Sequence, residues 1–331
     1  MRVLVTGASG LLGRTTVAAL QDRGDEVTTM QRRPAGDGST VGEVLGDVAD
    51  PVAVARAVVG QDAVLHLAAK VDVVGARADY VRANVEGTRV VVEQARRAGV
   101  ARLVHVSSPS VAHAGHPLVG VGAGPADPDG ARGHYSRTKA AAELLALDAD
   151  SAALAVLAVR PHLVWGPGDT QLVGRLVERA RAGRLVVLGS GAALIDTTYV
   201  DDAAAALVAA LDACGPAAHG EALVVSGGEP RPVGEILERV CRAAGVPGPR
   251  RHLPVRLGRW AGSAVDAVWA ATGRTDTPPV TRFLAEQLTT AHWFDQRRTR
   301  AVLGWRPAVG IDEGFARLAR WHATRGAPPT G

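Results

Sequence analysis

Thr6-Gly7-Ala8-Ser9-Gly10-Leu11-Leu12-Gly13 lies between a strand-like apolar run, Arg2–Thr6, and an amphipathic helical one, Leu11–Gln21. Glycines at this spacing permit a tight turn, close approach of the backbone to a diphosphate, and tight packing of helix on strand. The helix start then turns unpaired N–H groups toward the anion. The backbone of Gly7, Ser9, Gly10, Leu11, Leu12 and Gly13 is therefore expected to hold a dinucleotide. The plainer alternative is a structural glycine turn; the strand–turn–helix context favours the nucleotide.

Outward from that turn the alternation continues. Glu26–Gln31 reads as a strand, Val44–Leu45 as a short one, and Pro51–Val59 as a helix with proline in its first turn. Ala63–Leu67 and Leu103–Ser107 are apolar strand runs separated by a long helix, Asp79–Ala98. Ala141–Leu147 is helical, and Ala153–Val159 is a further apolar strand. Uninterrupted apolar strands between helices imply a parallel sheet covered on both faces. The predicted fold is α/β: a doubly wound parallel Rossmann sheet with a smaller, mostly helical C-terminal lobe. Residues 1–168 form the expected nucleotide domain, with 195–226 returning to it. Residues 169–194 and 227–331 form the expected substrate lobe. The stretch Gly115–Gly133 reads as a loop flanking the site.

Composition narrows the function. The 331 residues carry 37 Lys+Arg against 33 Asp+Glu, with no dense basic block, so nucleic acid is not an expected partner. Two cysteines, Cys214 and Cys241, suit a reducing compartment and cannot form a disulfide framework or a metal knuckle. The chain starts without a signal-like region and has no apolar run long enough for a transmembrane helix, so the expected location is cytoplasmic. His66, His162 and His292 have no thiol or carboxylate cluster beside them and read as structural, so no metal is expected. Eight of the twelve aromatics fall in the last quarter of the chain, Trp260, Trp269 and Trp293 among them, and are expected mostly in a core. The stretch Leu253–Thr272 carries few charges. It reads as a packed helix or lid, with peripheral lipid contact the alternative.

An NAD site would place a carboxylate at the end of the second strand. Here stand Met30-Gln31-Arg32-Arg33. Two guanidiniums and no acid suit a 2′-phosphate, so NADP(H) is expected over NAD(H), through Arg32 and Arg33. Asp47 and Val48 would border the adenine. Leu67, Ala68, Ala69 and Lys70 follow the fourth strand, on the nicotinamide side. Tyr135 and Lys139, four residues apart, share a helix face. The ammonium is expected to lower the phenol's pKa, and Ser108, at a strand end, to orient a carbonyl oxygen. Lys139 is one of only two lysines; Lys70 is the other.

A resemblance now enters. Gly7/Gly10/Gly13, His66-Leu67-Ala68-Ala69, Asn84-Val85-Glu86-Gly87-Thr88, Ser107-Ser108, Tyr135/Lys139 and Arg160-Pro161 through Gly166-Pro167-Gly168 together resemble the extended short-chain dehydrogenase/reductase superfamily. Arg160–Asp169, Asp196–Asp202 and Thr281–Leu288 resemble its 3β-hydroxysteroid dehydrogenase branch. Ser107–Val111 and Thr290–Phe294 are similar to bacterial 2-alkyl-3-oxoalkanoate reductases of β-lactone and olefin routes. The resemblance implies Tyr135 as general acid/base, Lys139 as its partner and ribose ligand, and Ser108 as carbonyl orienter. Pro161 and Leu163 would face the nicotinamide amide, and Asn84 would brace its helix. Related epimerases carry asparagine where Leu163 stands, which favours an apolar substrate here. Lys70, Ser108, Trp165 and Tyr199 are the expected substrate contacts; Lys70 reads as a cofactor-phosphate or loop contact, or in the sharper alternative as the holder of a β-keto acid's carboxylate.

The expected activity is NADPH-dependent reduction of a long-chain 2-alkyl-3-oxoalkanoate. A 3β-hydroxysteroid dehydrogenase is the alternative, and a non-catalytic NADP sensor or scaffold is the alternative from another class. A homodimer or a complex with pathway enzymes is the expected assembly.

Overall fold

The computed structural model describes residues 1–34, 42–71, 75–113, 115–215, 217–258, 260, 262, 265 and 282–326. Seven parallel strands form the main sheet: β1 (Arg2–Thr6), β2 (Glu26–Gln31), β3 (Glu43–Leu45), β4 (Ala63–His66), β5 (Arg102–Val106), β7 (Ala155–Pro161) and β12 (Glu221–Val225). Their order is β12-β7-β5-β4-β1-β2-β3. The order reverses between β1 and β4, so the crevice beyond their carboxyl ends is where such a sheet receives ligands. The glycine turn opens there, ahead of α1 (Leu11–Asp22).

Alternate residues of the strands feed two cores. Val3, Val5, Ala63 and Leu65 pack with Leu207 and Leu211 of α7 (Val200–Ala213) and with Val17 and Leu20 of α1. Leu4, Val64 and Leu103 pack on the other face with Val54 and Val58 of α2 (Pro51–Val58) and Val91 of α4 (Gly87–Arg97). Both faces are dry, which is why these strands lack polar alternation.

The long helix expected over 79–98 is three pieces. α3 (Arg77–Tyr80) runs into a π turn, Val81–Glu86, and then into α4. A π turn inserts one extra residue without changing the apolar pattern enough to show in the sequence. α5 spans Gly133–Asp148, eight residues earlier than the expected Ala141, and so carries Tyr135 and Lys139. Its low segregation of apolar residues, with Lys139 and Glu143 buried, hid its first half.

The later chain has more sheet than expected. β6 (Leu118–Val121) lies inside the supposed 115–133 loop. It pairs with β15 (His292–Phe294) in a four-stranded sheet ordered β13-β10-β15-β6, with β10 (Leu194–Ile195) and β13 (Arg231–Pro232). β8 (Val164–Trp165) pairs with β11 (Thr198–Tyr199), and β9 (Val187–Leu188) with β14 (His252–Leu253). The expected strand over 195–200 is thus two dipeptides, β10 and β11. Strands this short give no periodicity to read. A third core joins α6 (Val173–Arg181), α8 (Val233–Ala243) and α11 (Ile311–Gly326) around Trp165 and Phe315. Also described are α9 (Arg282–Thr289) and α10 (Arg297–Leu303).

Trp260 departs from the expected core: it is 72% exposed. Trp293 is half-buried, its ring against Gly120. Trp269 and most of the stretch 259–281 lie outside the described residues. No described helix is long and apolar enough to cross a membrane.

Candidate active site

The glycine turn divides its glycines by cause. Gly7 has φ +74°, and a Cβ there would stand 2.7 Å from the Ala68 nitrogen, so the turn must be bare to pass β4's end. At Gly13 a Cβ would stand 2.4 Å from the Gly7 oxygen, which sets the contact of α1 with the turn. Gly10 is different: a Cβ would meet only the Gly7 oxygen at 3.7 Å, an ordinary contact. Nothing among the described residues requires glycine there. A diphosphate drawn against the start of α1 would, and the residues fit a dinucleotide on that ground.

Around the turn, Arg32 and Arg33 are exposed just past β2 and make no ion pair among the described residues. Gln31 is buried and donates to Glu43 at 2.7 Å, so the nearby acid is held on β3. Asp47 caps Ala49 N at 3.0 Å and stands 3.4 Å from Arg82, and Val48 is buried against Gly87. Leu67, Ala68 and Ala69 are half-buried at the end of β4. The Ala68 N–H donates to the Thr6 hydroxyl at 3.2 Å, which joins that end to the start of the turn.

Ser108 lies past β5 and caps a short 3₁₀ turn, Pro109–Ala112. Its Oγ is 3.0 Å from the Ser110 hydroxyl and accepts from Ser110 N at 3.3 Å. The Tyr135 phenol lies close enough for the Ser108 hydroxyl to ease its ionisation, which brings two of the expected reactive groups near one another across β5 and α5. The expected low phenol pKa is corrected. Burial, the larger effect, pushes the Tyr135 phenol up, and Ser108 only partly opposes it. The lysine Nζ is turned to β5: it donates to the Val106 carbonyl at 2.6 Å and lies 3.2 Å from His105 Nε2. Burial pulls Lys139 down to about 8, with the Glu143 carboxylate holding it up.

Asn84 sits in the π turn and is buried. Its Oδ1 accepts from Lys70 N at 2.7 Å, and its Nδ2 donates to Thr138 Oγ1 at 2.9 Å and to Lys70 O at 3.3 Å. It ties the loop after β4 to α5, more than bracing its own helix. The Lys70 ammonium lies over the Tyr80 ring, 5.3 Å from its centre, and Tyr80 stacks toward His134 beside Tyr135.

Pro161 ends β7, at the same edge of the sheet as the glycine turn. Leu163 follows with φ +42°, a left-handed backbone rare outside glycine and often found at functional sites. Leu163 and Trp165 line a mostly apolar pocket. Leu172, Leu176, Leu237 and Leu288 supply much of the remaining wall, with Arg179 and Arg184 among the few polar residues. The Trp165 indole donates to Thr197 at 2.9 Å and stacks on Phe315. Tyr199 stands edge-on to Trp165, outside that wall, beside Arg317. Of the two expected aromatic contacts, Trp165 lines this pocket and Tyr199 does not.

His66 contacts Thr6 Oγ1 at 2.7 Å and Thr88 Oγ1 at 3.0 Å, and burial takes it down to about 3. His162 and His292 stack edge-on at 5.8 Å. Among the described residues no group of three or more His, Cys, Asp and Glu is placed to hold a metal. His105 was missed. A histidine in an otherwise apolar buried strand was the available signal.

Residues 3–226 match the NAD dependent epimerase/dehydratase family. A 2-alkyl-3-oxoalkanoate reductase of Stenotrophomonas maltophilia is 43% identical over 325 residues, covering 96% of this chain and 98% of that protein. A 3-beta-hydroxysteroid dehydrogenase of Mycolicibacterium neoaurum is 30% identical, covering 97% and 91%. Among solved structures, MoeE5 in complex with UDP-glucose and NAD is 27% identical, with TM-score 0.76 over 99% of this chain and 100% of that one.

Proposed function

The chain belongs to the NAD dependent epimerase/dehydratase family of extended short-chain dehydrogenases/reductases and is an NAD(P)-dependent oxidoreductase, and within that family we propose that it reduces a long-chain 2-alkyl-3-oxoalkanoate to the 2-alkyl-3-hydroxyalkanoate with NADPH. The sensor or scaffold alternative gives way to this enzyme family. The observation that carries the proposal is the aliphatic pocket that Leu163 helps to line, together with the name borne by the 43%-identical relative.

A nicotinamide cofactor supplies the hydride for the carbonyl carbon when bound. Ser9, Gly10, Leu11, Leu12 and Gly13 would hold its diphosphate at the start of α1. Arg32 and Arg33 would take a 2′-phosphate, with Asp47 and Val48 at the adenine. Leu67, Ala68, Ala69, Pro161 and Leu163 would line the nicotinamide end. At the substrate, Tyr135 gives its proton to the C3 oxygen. A phenol pushed up by burial is protonated at neutral pH, the form a reduction needs. Ser108, beside that phenol, shares the same oxygen. Lys139 stays cationic below about pH 8 and would hold the ribose side of the cofactor. Lys70 would meet the carboxylate after leaving the Tyr80 ring. Trp165 and the leucines around it would take an alkyl chain, where burial contributes about 0.8 kcal/mol per methylene.

The steroid reading is kept because a rigid apolar substrate suits the same wall and the Mycolicibacterium relative bears that activity in its name. Incubation with NADPH and a matched panel of 2-alkyl-3-oxoalkanoates and 3-oxosteroids decides between them. Consumption of NADPH by the keto acids alone supports the proposal; consumption by the steroids alone replaces it.

A further inference from the structure

Lys139 has three N–H donors and no acceptor. Two of them are taken, by the Val106 carbonyl at 2.6 Å and by His105 Nε2 at 3.2 Å. On a tetrahedral ammonium, two fixed N–H directions determine the third. We infer that His105 is a positioning residue for Lys139, taking one ammonium proton so that the remaining N–H is aimed out of the β5–α5 contact toward the cofactor. This rests on the role given to Lys139 above.

The hydrogen bonds set the tautomers. The Thr88 hydroxyl donates to the Asn84 carbonyl at 2.6 Å, so toward His66 it accepts, and His66 carries its proton on Nε2. His66 Nδ1 then accepts from the Thr6 hydroxyl, the residue that opens the glycine turn. Because Lys139 only donates, His105 Nε2 is an acceptor and its proton sits on Nδ1, an atom with no hydrogen-bond partner among the described residues. His105 and His66 are register partners on β5 and β4, with ring centres 5.5 Å apart. A buried histidine with one unmatched N–H is costly where an apolar residue would fit. What it provides here is an acceptor that stays unprotonated. Burial and the neighbouring Lys139 keep His105 well below its ordinary value, and His66 is down to about 3.

The charged surroundings are few. Glu143, one turn beyond Lys139 on α5, holds the ammonium up, and Arg160 of β7 is paired with that same Glu143. Tyr135 shares the face of α5, and His66 faces His105 from β4.

The chain has only two lysines, so lysine labelled with ¹³C and ¹⁵N gives two Nζ/Cε signals, assigned with Lys70→Arg. The protein without cofactor is titrated as wild type, as His105→Phe, which keeps a ring and removes the acceptor, and as His105→Gln, which keeps an acceptor. Loss of a hydrogen bond to the charged form moves the Lys139 midpoint down. The expected shift is about one unit in His105→Phe, with Gln near wild type and the alkaline limb of kcat/KM following the same order. An unmoved midpoint in a folded His105→Phe, or an equal fall in both variants, overturns the positioning role. A midpoint that moves while the alkaline limb does not overturns the reading of Lys139 itself, and the positioning role with it. If His105→Phe fails to fold, the Gln variant decides: it keeps the wild-type midpoint, or the role is lost.

Discussion

Arg160 of β7 and Glu143 of α5 form a two-pronged ion pair, each 1% exposed, through Nε–Oε2 at 2.8 Å and a second Nη2–Oε1 bond. Arg160 Nη1 also donates to the Gly124 carbonyl at 3.0 Å. The pair fixes α5, and with it Tyr135 and Lys139, against the edge of the sheet where Pro161 and Leu163 leave β7. Breaking one side leaves a buried charge, so Glu143→Gln is expected to cost about 3–5 kcal/mol in urea unfolding. Replacing both partners with Glu143→Leu and Arg160→Met should cost less than the single change. A single variant as stable as wild type would show that the pair does not anchor the helix.

Tyr135→Phe keeps the ring and removes the proton. Turnover is expected to fall about 10²-fold or more, on the scale of general acid catalysis, with NADPH binding little changed. Retained turnover would remove Tyr135 from the mechanism.

The open cofactor question is the 2′-phosphate. Arg32→Ala with Arg33→Ala is expected to weaken NADPH by about 2–4 kcal/mol while NADH affinity barely moves. Titration of cofactor fluorescence measures both. A wild type that prefers NADH contradicts the assignment before any mutation is made.

Gly10 and Gly13 should part company. Gly13→Ala forces a Cβ onto the Gly7 oxygen and is expected to destabilise the fold by about 1–3 kcal/mol. Gly10→Ala finds only a 3.7 Å contact, so its unfolding midpoint should hold while NADPH affinity drops about tenfold, or about 1.4 kcal/mol. A Gly10→Ala protein that binds cofactor normally would leave the glycine there unexplained.

The sheet was legible because its strands are apolar on both faces and its glycine turn has a steric logic. Arg2–Thr6 and Glu26–Gln31 have the boundaries read from sequence. The π turn, β6 and the dipeptide strands were not legible, since each departs from helix or strand period by one or two residues. Gly13 packs on Gly7 as the glycine spacing suggested, and Tyr135 lies near Ser108. The direction of Lys139 did not follow from an i, i+4 spacing, because a side chain with three donors turns to whatever acceptors the neighbouring strand offers, here His105 and Val106 O. Trp260 was misread because aromatic bulk favours burial on average and says nothing of a particular helix face.

The most direct test is kcat/KM for NADPH-dependent reduction across a homologous series of 2-alkyl-3-oxoalkanoates of increasing chain length. If the pocket that Leu163 helps to line buries an alkyl chain, kcat/KM should rise about fourfold per methylene, the equivalent of about 0.8 kcal/mol, until the pocket is filled. A series that stays flat, or is outrun at every length by a 3-oxosteroid, contradicts the account.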